Sequence, residues 1–75
     1  MEKEVRIGGA KYNITLDTNN HVTVLRNGRR MWTGMWSPMR VRLFLPDCPF
    51  GVIEERLSLE LRGEVMRPFA KRAYL

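Results

Sequence analysis

Apolar and polar residues alternate along the first half of the chain and fall at helical spacing along the second. Residues 3–7 place Val5 and Ile7 on one side, and Gly8-Gly9 then permits a tight bend. Tyr12, Ile14 and Leu16 point one way, Asn13 and Thr15 the other. That is the period of a half-buried strand. Asp17-Thr18-Asn19-Asn20 is a turn cluster, and Asn20 tolerates the positive φ that closes a three-residue hairpin loop. Such a loop pairs Leu16 with Val22 and Ile14 with Val24 on a shared apolar face. The next strand spans His21 to Arg26. Asn27-Gly28 is the strongest hairpin signal in the chain, because both residue types accept the φ > 0 of a type I′ turn. The return strand spans Arg29 to Thr33, pairing Arg26 with Arg29, Leu25 with Arg30 and Val24 with Met31. Gly34 to Pro38 reads as a loop carrying Met35 and Trp36. Residues 39–45 alternate again, with Met39, Val41, Leu43 and Leu45 on one face and Arg40, Arg42 and Phe44 on the other. Pro46 stops that strand, since proline cannot donate to a ladder.

The period changes after Pro46. Asp47 is a candidate N-cap, with Pro49 tolerated in the first turn. Phe50, Ile53, Leu57, Leu61 and Val65 follow at steps of three and four, a helical stripe. Glu54 and Glu55 suit the positive end of a helix. Residues 56–62 also alternate with period two, so a strand is the rival reading there, and Gly63 weakens a helix. The longer stripe favours a helix over 47–67. Pro68 is expected to end or kink it, leaving 68–75 as a basic tail. The fold class expected is α+β: a small antiparallel sheet of four to five strands (1–46), then one amphipathic C-terminal helix packed on one sheet face. That face holds Tyr12, Ile14, Leu16, Val22, Val24, Met31, Val41 and Leu43.

Size and composition narrow the function. The chain has 75 residues, which implies one small domain with little room for a deep pocket. It holds one Cys, Cys48, and one His, His21. A zinc site of the usual Cys/His type needs about four ligands, and an internal disulfide needs two thiols. No metal or cofactor is therefore expected, and an enzyme is disfavoured. Met1-Glu2-Lys3-Glu4 is followed by no apolar core, so a signal peptide is not expected. No run of 18 apolar residues suggests a transmembrane helix. A reducing, cytoplasmic location without membrane contact is the default.

Charge changes the picture more. The net charge is +5, and it is unevenly placed. Eight cations face three acids up to Arg42, and five face five from Leu43 onward. The whole excess lies on the strands. If one sheet face is the core, the other carries Asn13, Thr15, His21, Thr23, Leu25, Arg30, Trp32, Arg40, Arg42 and Phe44. Arg26, Arg29 and Arg30 cluster at the second hairpin. Guanidinium groups neutralise phosphates or fork onto guanine, and aromatic rings stack on bases. Arg26, Arg29, Arg30, Trp32, Arg40 and Arg42 are thus the candidate binding residues, with Trp32 the stacking or packing anchor. The same residues also read as a solvated basic face, with arginines deterring edge-to-edge pairing.

Two functions follow. The first is a non-catalytic accessory protein that contacts nucleic acid through the basic sheet face and the arginine hairpin. The second is a phage- or mobile-element-type protein that docks on an acidic surface of a larger host complex and inhibits or redirects it. An exposed apolar patch of Leu25, Trp32 and Met35 would favour a protein partner. A continuous strip of Arg30, Arg40 and Arg42 would favour nucleic acid. A homodimer across an edge strand or the Trp-bearing face is a further option for so small a core.

Overall fold

Five antiparallel strands and one helix make up the computed structural model, which describes residues 1–73 and side chains as far as Arg67. The strands are β1 (Glu2–Ile7), β2 (Ala10–Leu16), β3 (His21–Arg26), β4 (Arg29–Ser37) and β5 (Arg42–Phe44); α1 spans Gly51–Ala73. Each strand pairs with its neighbour in sequence, giving a curled meander of order β1-β2-β3-β4-β5. The expected α+β class, a sheet followed by a helix, is the class observed.

The first two predicted hairpins close as their turn residues dictate. Asn20 adopts φ 64°, and Leu16 faces Val22 while Ile14 faces Val24. Asp17 ties the loop by accepting from the backbone N–H groups of Asn19 (2.8 Å) and His21 (2.9 Å). Those donors favour the charged carboxylate, and the His21 N–H leads in holding the Asp17 pKa below its ordinary value. Asn27 and Gly28 adopt φ 51° and 83°, the pair of positive values a type I′ turn requires. Asn27 also clamps the hairpin to β2. Its Oδ1 accepts from the Lys11 N–H at 3.0 Å, and its own N–H donates to the Lys11 carbonyl at 2.7 Å.

β4 departs from expectation twice. Arg26 faces Arg29 and Leu25 faces Arg30 as the turn implies, but Val24 faces Trp32 rather than Met31. A β-bulge inserts Met31 as an extra residue, and one inserted residue moves all that follows to the other face. Met31 is therefore exposed and Trp32 buried. The strand then runs through Gly34 to Ser37, where a loop was expected, and buries Trp36 opposite Leu43. Gly34 does not break the strand; it lets β5 approach. A Cβ built there would overlap the Phe44 carbonyl.

The core comprises Val5, Ala10, Tyr12, Ile14, Val22, Val24, Trp32, Trp36, Leu43 and Leu45 from the sheet and its margin, closed by Leu57 and Leu61 of α1. Leu16 and Val41 are only partly buried against it. Tyr12 and Trp32 stack across β3 with centroids 6.1 Å apart. Residues 56–62 are helical, not a strand. The helix starts at Gly51, later than Asp47 suggested, with the Phe50 carbonyl accepting from the N–H groups of Ile53 and Glu54. It also passes Pro68, because a proline removes one hydrogen bond yet has a helical φ. The expected basic tail is thus helical backbone to Ala73; its residues 74–75 lie outside the described residues.

The helix packs chiefly against β5 and β1, the two ends of the meander. At β5 it covers the sheet edge: Ser58 Oγ accepts from the Leu43 N–H at 3.0 Å, and Glu54 Oε2 from the Leu45 N–H at 2.8 Å. These two acceptors, one helical turn apart, satisfy the donors an edge strand leaves open. At β1, Lys3 Nζ donates to Glu64 Oε1 at 2.8 Å. That hydrogen bond leads in holding the Glu64 pKa below its ordinary value.

Candidate functional site

The outer sheet face is what the helix leaves uncovered. Arg30, across from Leu25, and Arg42 and Phe44, across from Ser37 and Met35, lie on it as expected. Trp32 does not. It is 6% exposed, so the bulge removes it from any stacking role on that face. Leu25 is half-buried, and Met35 is exposed beside Phe44. The patch of Leu25, Trp32 and Met35 that would favour a protein partner is therefore not formed.

The five candidate arginines separate into two groups. Arg26 and Arg29 are cross-strand partners beside the Asn27-Gly28 turn, and Arg30 stands one rung below. Arg40 and Arg42 flank the turn into β5, and their guanidinium carbons lie 6.0 and 5.6 Å from the centre of the Phe44 ring. The ring attracts both cations through its π face. Arg42 faces Ser37, at the opposite end of β4 from Arg30. With Met31 bulged out, Arg30 to Ser37 is roughly 20 Å of extended strand. The arginines thus gather at the two ends of β4 rather than in a continuous strip. At the hairpin end Arg26, across from the buried Tyr12 and beside Phe50 and Ile53, lies on the helix side of the sheet while Arg30 lies on the outer side.

Ion pairing divides the cations sharply. Lys3, Arg6, Lys11, Arg56 and Arg67 each stand within 4.0 Å of a carboxylate. Arg26, Arg29, Arg30, Arg40, Arg42 and Arg62 have no such partner among the described residues. Like charges directly opposite on a strand pair are destabilising, and Arg26 with Arg29 is such a pair. Arg62 was not among the sequence candidates. It belongs to the charge-balanced second half of the sequence, and only the packing of α1 against β5 brings it beside Arg40 and Arg42.

Among the described residues, depressions lie beside both groups, one of them of about 230 Å³ between Arg26, Met31, Phe50 and Ile53. A groove of about 650 Å³ at the β4–β5 end is lined by Met35, Pro38, Phe44 and Pro46, with Trp36 and Leu45 at its inner side. A cleft of about 340 Å³ lies between the β5 turn and α1, lined by Arg40, Val41, Arg42, Glu55, Ser58, Leu59 and Arg62. The cleft beside His21 is lined by Arg30 together with the carboxylates of Asp17 and Asp47, and by Thr23 and Thr33, and does not include Cys48. His21 Nδ1 stands 3.7 Å from Asp17, and Cys48 Sγ is 3.5 Å from the Phe50 carbonyl. Among the described residues no three His, Cys, Asp or Glu side chains are grouped to hold a metal ion. None of the helices there is long and apolar enough to cross a membrane.

Fold and site together define a small α+β domain, a curled five-strand meander closed by one helix, with arginines at both ends of its fourth strand that have no carboxylate partner among the described residues. No protein-family model, no curated protein and no solved structure matches this chain.

Proposed function

We propose that the protein is a non-catalytic binding domain that engages the phosphate backbone of nucleic acid through the Arg26–Arg29–Arg30 hairpin and the Arg40–Arg42 turn. The observation that carries this reading is the division of the cations. Among the described residues, the arginines at both ends of β4 lack carboxylate partners, while Lys3, Arg6 and Lys11 of β1 and β2 and Arg56 and Arg67 of α1 have them; Arg62 of α1, which lies beside Arg40 and Arg42, goes with the first group. A local charge conflict such as Arg26 facing Arg29 is a departure from consistent design of the kind found at functional sites. An anionic ligand relieves it. The continuous arginine strip that would have favoured nucleic acid is not formed; two separated groups still fit an extended polyanion, because duplex DNA presents one charge per about 1.7 Å of axis and so spans both ends. Contacts of this kind position a protein without reading sequence.

A protein partner is the second reading, favoured by the apolar groove of Met35, Pro38, Phe44 and Pro46 beside Arg40 and Arg42. In it, an acidic surface of a larger complex presents an apolar side chain to the groove and carboxylates to the arginines. Binding to labelled duplex DNA and single-stranded RNA separates the two. Nucleic acid binding that weakens steeply between low and moderate salt supports the first reading. Absence of binding to both, with capture of a protein that survives nuclease treatment, supports the second and removes the first.

A further inference from the structure

We propose that the cleft between the β5 turn and α1 is a seat for a single phosphoryl group, held by Arg40, Arg42 and Arg62. The inference deepens the nucleic-acid reading and rests on it in so far as Arg40 and Arg42 serve both. Three features carry it.

The first is convergence. Arg40 and Arg42 come from the turn and Arg62 from the helix, 20 or more residues away in sequence, yet all three line one cleft of about 340 Å³. None has a carboxylate within ion-pair distance among the described residues. Glu55 lines the same cleft without pairing with any of them, so the lining carries a net positive charge. Planar guanidinium forks match the geometry of phosphate oxygens.

The second is backbone strain. Val41, between the two turn arginines, adopts φ 53°. A β-branched residue in the left-handed region is a genuine outlier, and such strain of about 1–3 kcal/mol clusters at ligand sites. Here it has a visible result: Val41 packs partly into the core while Arg40 and Arg42 on either side remain exposed.

The third is a firmly held back wall. Ser58 is buried and accepts from the Leu43 N–H, which holds the Arg62-bearing helix face against β5. A preformed cleft loses less freedom on binding than a mobile one.

A backbone phosphodiester and a free phosphorylated ligand share this chemistry, and the test separates them. Inorganic pyrophosphate is titrated into the isotope-labelled full chain, and duplex binding is measured for wild type, Arg62→Gln, Arg62→Lys and Glu55→Gln. Pyrophosphate is expected to shift amide signals at residues 40–42 and 58–62, and Arg62→Gln to abolish those shifts. Arg62→Gln is also expected to reduce the salt slope of duplex binding by about one, Arg62→Lys to retain it, and Glu55→Gln to tighten binding. Unchanged thermal unfolding of these exposed-site variants shows that the fold is intact. A lowered slope without a pyrophosphate response supports a backbone phosphate as the occupant. Pyrophosphate shifts in a protein that binds neither DNA nor RNA support a free phosphorylated ligand and overturn the nucleic-acid reading alone. Duplex binding untouched by Arg62→Gln, with no pyrophosphate shifts or shifts that persist in that variant, overturns the cleft and leaves the hairpin reading standing.

Discussion

The two ends of β4 carry similar charge on different foundations. At the hairpin end, Arg26, Arg29 and Arg30 are displayed by local chemistry: a type I′ Asn-Gly turn clamped to β2 through Asn27. At the β5 end, Arg40 and Arg42 are displayed by tertiary structure. A strained Val41, a glycine that admits β5 against β4, and a helix that covers the β5 edge all have to be in place. The difference teaches that one arginine group depends on its own turn and the other on the whole fold. It also explains why a third arginine, Arg62, joins only the second.

The bulge between the ends is the place to break this comparison first. Trp32→Ala removes a buried ring stacked on Tyr12, and a loss of about 3–5 kcal/mol is expected in denaturant unfolding. Met31→Ala, at the exposed inserted residue, is expected to cost under about 1 kcal/mol. The reverse order would restore the unbulged register and return Trp32 to the outer face.

Gly34→Ala is expected to cost about 3 kcal/mol, because the added methyl meets β5 backbone, which cannot rotate away. Amide signals of β5 and the Arg40–Arg42 turn should move while those of the Asn27 hairpin stay. Asn27→Ala is the opposite cut. It loses the side-chain half of the Lys11 clamp and forces alanine into a positive φ, for an expected cost of about 1–2 kcal/mol, with signal changes confined to the hairpin and β2.

The smallest effect concerns acid. Lys3 holds the Glu64 carboxyl below its ordinary pKa. A lowered folded value means that the stabilisation is full above the ordinary glutamate range and disappears as pH falls through the folded value. Lys3→Met should therefore flatten the acid limb of a stability–pH curve slightly. Asp17, held low chiefly by the His21 N–H, should keep its own share of that limb.

Much of the fold was legible in the sequence because its signals are local. Asn20, Asn27 and Gly28 dictated their turns by the φ they accept, and the period-two runs of β2 and β3 set which face is buried. The misreadings sit where a distant element decides. Met31 as core and Trp32 as surface followed from counting straight back from the turn, and nothing within the strand announces a bulge. Gly34 looked like a loop residue until β5 was placed beside it, so Trp36 was left out of the core. Pro49 and Asp47 marked the approach to the helix but not its first residue. Arg26, Arg29, Arg30, Arg40 and Arg42 were legible as candidates from charge alone. Their division into two clusters, and the addition of Arg62, required the packing of α1 against β5.

The central claim is that both arginine clusters engage one polyanion, and the salt dependence of duplex binding tests it most directly. Six arginines, Arg62 included, predict a slope of log Kobs against log salt of about −5 for the wild type. Replacing Arg26, Arg29 and Arg30 with Gln should bring it to about −3, and replacing Arg40 and Arg42 to about −4. A wild-type slope near zero, or a slope that neither set of replacements moves, would contradict the account.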